Sequence, residues 1–242
     1  MHPGSSSTPH IRSITLNGPT GRLEALLNGG LSDTKAAALV CHPHPLGGGT
    51  MHNKVVYHAM KALNEPANGL GWPVLRFNFR GVGLSCGMHD GMKEREDVAA
   101  ALDWLNDEFG LPVLLAGFSF GAVMAIEAMA DEAARRHVSA LCALGLPVRA
   151  EGRQYHYPSL GALTMPKLFL SGDRDEFAPE EALRGIVDSA AEPKRFTLIH
   201  GADHFFKGAL DKMQLAILDW LEGAAYFSGE AARLGQAKQE GK

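Results

Sequence analysis

Gly117-Phe118-Ser119-Phe120-Gly121 sets one hydroxyl between two glycines, in the pattern G-x-S-x-G. The pattern alone is modest evidence, because a chain with 28 glycines can produce it by chance. Its setting is more informative. An apolar run, Leu111 to Ala116, leads into it and a helix-forming run leads out, as a nucleophile-bearing strand-turn-helix requires. Glycines there remove the Cβ atoms that would crowd a sharp turn, and the helix start offers N–H groups to a developing negative charge. A neutral serine is a poor nucleophile, so a histidine must take its proton and a carboxylate must orient that histidine. Both types follow in the order serine, acid, histidine. Asp173 and Asp175 come just after the apolar run Lys167 to Ser171, and His200 and His204 just after Arg195 to Ile199. The oxyanion of an acyl-transfer intermediate needs two N–H donors, and Phe120, next to the serine, supplies the first. The second is expected from His42-Pro43-His44-Pro45-Leu46, where the two prolines have no N–H and His44 and Leu46 are the candidates.

These residues need a scaffold that brings strand ends together. Strand-like and helix-like segments alternate along the chain, which predicts a mostly parallel sheet covered by helices on both faces. Ile11 to Leu16 and Leu23 to Leu27, separated by Asn17-Gly18-Pro19, read as an opening antiparallel hairpin. Ala36 to Cys41 reads as a strand buried on both faces. Further strands are expected at Val74 to Phe79, Leu111 to Ala116, Val138 to Leu144, Lys167 to Ser171 and Arg195 to Ile199. Helices are expected from about Asn53 to Leu63, Lys93 to Phe109, Ala122 to Ala134 and Phe205 to Leu221. The expected organisation is one α/β domain over 11–222, between a flexible N-terminus (1–10) and a polar C-terminal tail (223–242).

With these segments in view, the chain resembles the α/β-hydrolase superfamily from about Ile11 to Leu221. His42-Pro43-His44-Pro45-Leu46-Gly47-Gly48-Gly49 and Arg76-Phe77-Asn78-Phe79-Arg80-Gly81-Val82-Gly83 are similar to a branch of small bacterial serine hydrolases akin to the dienelactone hydrolase group. The resemblance implies a central sheet of about eight strands and no large cap domain. It also implies that the acid follows the strand in a G-x-x-D pattern, which selects Asp175 over Asp173. A matching G-x-x-H turn selects His204 over His200. Aligning His42-Pro43-His44 with the superfamily's His-Gly-x favours His44 over Leu46 as second donor. Dienelactone hydrolases carry cysteine where this chain has Ser119, so lactone specificity does not transfer.

The expected function is therefore a serine hydrolase cleaving small carboxylic esters through an acyl-enzyme, without a cofactor. A peptidase, amidase or thioesterase with the same three residues is the enzymatic alternative, and an inactive binding module the non-enzymatic one. Other partners are poorly supported. Hydrophobic residues make up 45% and charged residues 21% of 242, and a net charge of −4 with no basic run offers nothing to nucleic acid or anionic lipid. Three scattered cysteines and no leader-like start fit the cytoplasm, and no apolar run is long enough for a bilayer. His42, His44 and His52 lack a zinc-helix spacing, so His42 is read as a loop-orienting hydrogen-bonder and no metal is expected. Arg80 is read as structural, and Gly81 to Gly87 does not fit a nucleotide-binding turn. The oligomeric state is not legible. About twenty residues lie between Leu144 and Lys167, too few for a cap with its own core, so the site should be open to small soluble esters. Tyr155 and Tyr157, in that stretch, are read either as walls of an acyl pocket or as anchors of the loop.

Overall fold

A computed structural model describes residues 10–150 and 152–223. The expected terminal segments, apart from His10 and Gly223, lie outside the described residues. The chain opens with β1 (Ile11–Gly18) and β2 (Gly21–Asn28), paired antiparallel with Gly18 opposite Gly21. The turn is thus Pro19-Thr20, and the strands run one to two residues past the expected ends. Next come β3 (Ala37–Cys41), α1 (Lys54–Asn64), β4 (Val74–Phe77), α2 (Glu94–Phe109), β5 (Val113–Phe118) and α3 (Phe120–Ala128). They are followed by α4 (Glu132–Arg135), β6 (Val138–Leu144), β7 (Arg149–Ala150) and β8 (Arg153–Gln154). The described residues end through β9 (Lys167–Gly172), α5 (Glu180–Ser189), β10 (Lys194–Ile199) and α6 (Leu210–Gly223).

Eight strands form one sheet in the order β1-β2-β4-β3-β5-β6-β9-β10, with only the β1–β2 and β2–β4 pairs antiparallel. Its central strands bury both faces. Ala37, Leu39 and Cys41 of β3 enter one core with residues of α2, α3 and α5, while Ala38 and Val40 enter the other with α1 and α6. This two-sided burial explains the uninterrupted apolar runs of the middle strands, which alternation alone could not place. β3 and β5 are neighbours, yet the chain leaves β3 toward α1 on one face and β5 toward α3 on the other. A crevice opens where two adjacent strands send their connections to opposite faces, and it opens at their C-terminal ends. Both the His42–Gly49 loop and the Ser119 turn start there.

Three expectations need correction. The helix expected over Ala122 to Ala134 is broken, because Asp131 takes an extended conformation and caps α4, its Oδ1 accepting from Ala133 N. The final helix begins at Leu210 rather than Phe205, since Phe206 and Gly208 have positive φ and Asp203 holds the N–H groups of Phe205 and Lys207. α5 was not anticipated. Only Leu183 and Val187 of its ten residues are buried, too sparse a stripe to stand out.

The segment between β6 and β9 forms the two-stranded β7–β8 pair and a 3-10 turn at Pro158–Ala162, not a cap. Tyr157 donates its hydroxyl to Pro147 O at 2.6 Å, and buried Lys167 donates to Leu163 O and Met165 O. These bonds hold the segment against the sheet. No described helix is long and apolar enough to cross a membrane.

Candidate active site

Ser119 sits between β5 and α3 with φ 54° and ψ −119°, a backbone state that costs an L-residue about 1–3 kcal/mol. The neighbouring glycines show why the turn is so tight. A Cβ on Gly117 would stand 2.3 Å from Gly121 O, and one on Gly121 would stand 2.4 Å from Cys41 O. Either methyl group would push the turn apart or drive it off β3, so the G-x-S-x-G spacing is dictated by backbone packed on backbone.

His204 lies on the loop after β10 and Asp175 on the loop after β9. His204 Nε2 is 3.0 Å from Ser119 Oγ, and its Nδ1 is 2.8 Å from Asp175 Oδ2. Since a carboxylate only accepts, Nδ1 carries the proton and Nε2 is the acceptor facing the serine hydroxyl. Asp175 is fully held. Oδ2 also accepts from Ser171 Oγ at 3.1 Å, and Oδ1 accepts from the N–H groups of Phe177 and Ala178. The loops carrying acid and histidine are pressed together where a Cβ on Gly172 would meet Ala202 O at 2.1 Å. Rings of Phe118, Phe177 and Phe205 surround the imidazole at 4.6 to 5.9 Å of one another's or its own centroid, keeping the bonds among low-dielectric walls.

The rival residues go elsewhere. Asp173 Oδ2 pairs with His200 Nδ1, and its Oδ1 accepts from Gly201 N at 2.7 Å, so the two serve the turn between them. His200 is 95% exposed and does not line the cleft around Ser119. His42 is fully buried and bridges two strand ends: Nδ1 donates to Pro43 O at 2.7 Å and Nε2 accepts from Phe79 N at 3.0 Å. Burial pushes its pKa down to about 4, against a rise from the Pro43 bond. Arg80 is locked on Asp97, with Nη2 at 2.7 Å from Oδ1 and a further bond to Glu96. Among the described residues no group of three or more His, Cys, Asp or Glu side chains is placed to hold a metal ion.

A cleft of about 470 Å³ contains Ser119, Phe120, His204, His44 and Leu46 in its lining. Phe120 is the first residue of α3, where N–H groups have no acceptor within the helix. Leu46 N–H is donated to the His44 ring at 3.2 Å, while the rings of His44 and Phe120 lie 4.9 Å apart. Tyr155 lines the cleft and Tyr157 does not, so the two tyrosines divide the roles of wall and anchor. The sequence reading missed His89, Asp90, Arg153, Phe177 and Phe205 as cleft residues. A signal was available for His89, Asp90, Phe177 and Phe205, which lie on loops after strands whose C-terminal ends point at the crevice, but not for Arg153.

An alpha/beta hydrolase domain model matches residues 35–216. The chain belongs to the alpha/beta hydrolase family. The resemblance read from its motifs is borne out, as are the eight-stranded, mostly parallel sheet and the absence of a large cap. It is similar to an uncharacterised protein of Rickettsia prowazekii, 37% identical over 216 residues that cover 86% of this chain and 87% of that one. Among solved structures, an alpha-beta serine hydrolase homologue from Coxiella burnetii is 36% identical, with a TM-score of 0.76 over 89% of this chain and 99% of that one. A serine hydrolase without lid from Xanthomonas campestris is 30% identical, with a TM-score of 0.74 over 88% and 94%.

Proposed function

We propose that this chain is a serine esterase, with Ser119 as nucleophile, His204 as general base and Asp175 as the acid that orients it. The observation that carries this reading is the unbroken line Ser119 Oγ, His204 Nε2, His204 Nδ1, Asp175 Oδ2, with spacings of 3.0 and 2.8 Å. As Ser119 Oγ attacks an ester carbonyl, His204 takes its proton, and the N–H groups of Phe120 and His44 receive the oxyanion. His44 is preferred to Leu46 because the Leu46 N–H is already directed at an imidazole. Collapse breaks the bond to the alcohol, which leaves with the proton from His204. Water, deprotonated by His204, then attacks the acyl-serine and releases the acid. The work is done by one compact domain, on a small soluble ester, in a compartment that leaves Cys41, Cys86 and Cys142 unpaired, as the cytoplasm would.

The relatives named serine hydrolases support the reaction class, and the short β6–β9 segment supports small substrates. A further buried methylene contributes about 0.8 kcal/mol, but one that protrudes into water contributes nothing. A p-nitrophenyl ester series from acetate to palmitate should therefore favour short chains, with no rate jump at micelle formation. Preference for palmitate would mean an acyl tunnel exists. A fluorophosphonate probe separates enzyme from binding module: stoichiometric labelling at Ser119 is expected, and failure to label the folded chain would overturn the esterase reading.

A further inference from the structure

Among the polar side chains that line the Ser119 cleft and have no part in that mechanism are His89 and Arg153. His89 lies on the loop between β4 and α2, and its Nδ1 donates to Glu94 Oε1 at 2.6 Å. Glu94, the first residue of α2, is completely buried, and the same oxygen accepts from Asp90 N and Gly91 N at 2.9 and 3.3 Å. Its Oε2 has no partner among the described residues. With Nδ1 committed to this buried acid, Nε2 is the His89 atom left to meet a ligand.

Arg153 comes from the opposite wall, on β8, with its guanidinium carbon 6.0 Å from the centre of the Tyr155 ring. No carboxylate pairs with it among the described residues. Glu127 feels its charge, yet the cation closest to Glu127 is Arg95 at 4.0 Å. Gly91 lies between the two walls with φ +79°, and a Cβ there would stand 3.9 Å from both Arg153 Nη1 and His89 Nε2. The two nitrogens are therefore no farther apart than one carboxylate can span with a hydrogen bond to each. Asp90, also in the lining, has Oδ1 turned to the N–H groups of Met92 and Lys93.

We propose that His89 Nε2 and Arg153 form a subsite for an ionised carboxylate, so that the preferred substrates are esters carrying a second, free carboxylate. This rests on the esterase reading of Ser119 and gives it a substrate class. Glu94 is the positioning residue, fixing which imidazole nitrogen faces the cleft. A guanidinium and an imidazole offered together suit a carboxylate, because charge-assisted bonds to an ionised acceptor are about twice as strong as neutral ones.

The test compares matched esters in a pH-stat, with kcat/KM as readout. Monomethyl glutarate against methyl valerate places the carboxylate on the acyl side, and 4-acetoxybenzoate against phenyl acetate places it on the alcohol side. One arm should favour the anionic ester by about tenfold or more, and Arg153→Gln and His89→Gln should each abolish most of that ratio. Cleavage of neutral esters with no anionic preference in either arm, or a preference that survives Arg153→Gln, would overturn the subsite while leaving the esterase reading intact. Should no ester be cleaved, the esterase reading fails and calorimetry on the folded Ser119→Ala chain decides the subsite separately. There, tighter binding of monomethyl glutarate or 4-acetoxybenzoate than of its neutral counterpart, lost on adding Arg153→Gln, supports it, and equal binding overturns it.

Discussion

Two histidines in one cleft are each held at Nδ1 by a buried acid, yet their surroundings differ. His204 is bound by Asp175 at 2.8 Å and His89 by Glu94 at 2.6 Å. Around Asp175 every oxygen is satisfied, by Ser171, Phe177, Ala178 and His204 itself. Around Glu94 one oxygen has no partner among the described residues. The larger difference lies at the far nitrogen. His204 Nε2 meets a serine held in strained geometry by two glycines that admit no Cβ, whereas His89, in the cleft lining, has its Nε2 3.9 Å from where a Cβ on a third glycine, Gly91, would stand. An imidazole and a carboxylate are thus not enough to mark a catalytic base. The strained turn that holds the Ser119 hydroxyl 3.0 Å from His204 Nε2 distinguishes the two pairs.

The comparison breaks most visibly at Ser119. Ser119→Ala should lower kcat by roughly four to six orders of magnitude with little change in melting temperature. Retention of a tenth of the activity would remove the distinction between the two pairs. Next in size, Asp175→Asn should cost about 10⁴ in kcat by losing the tautomer that keeps Nε2 an acceptor. Asp173→Asn should be far milder, since Asp173 serves only Gly201 and His200. A reversed ranking in steady-state kinetics would mean that the acid has been misassigned.

The His89 pair should instead reveal itself in stability. Glu94→Ala strips three donors of a shared acceptor and should cost about 3 kcal/mol in chemical denaturation. A neutral result would show that the pair is merely tolerated. His42 gives the contrast of an imidazole buried with no carboxylate. The folded chain keeps it neutral down to about pH 4, while the unfolded chain protonates a histidine near the ordinary value of 6.5. As pH falls the unfolded state takes up a proton first, so stability present above pH 6.5 is lost through that window. The loss should reach about 2 kcal/mol between pH 7 and 5. His42→Gln should flatten that slope, and an unchanged slope would assign the acid sensitivity to other groups.

How much was legible depends on how local each feature is. The serine turn is only partly encoded within five residues: the clash that demands glycine at 117 is with Gly121, inside the motif, whereas the clash at 121 is with Cys41 of β3. The order of strands and helices could be read from apolar runs and turn residues, although α5 was hidden by a stripe of two buried residues and the Ala122–Ala134 helix by a cap that outweighed propensity. Asp175 and His204 could be separated from Asp173 and His200 only through resemblance. Nothing in the composition of either loop says which acid turns inward and which pairs with its neighbour on the surface.

The sequence by itself determined the G-x-S-x-G turn at Ser119, the layered α/β architecture and the lack of room for a cap, since these follow from local residue types, hydrophobic periodicity and segment length. The tertiary structure alone decided the rest of the cleft. It drew Arg153 from β8 and His89 from the loop after β4 to within one carboxylate of each other, and it split Tyr155 from Tyr157 into wall and anchor. Those residues are separated along the chain by elements whose relative placement depends on packing both faces of the sheet, and no local pattern carries that information.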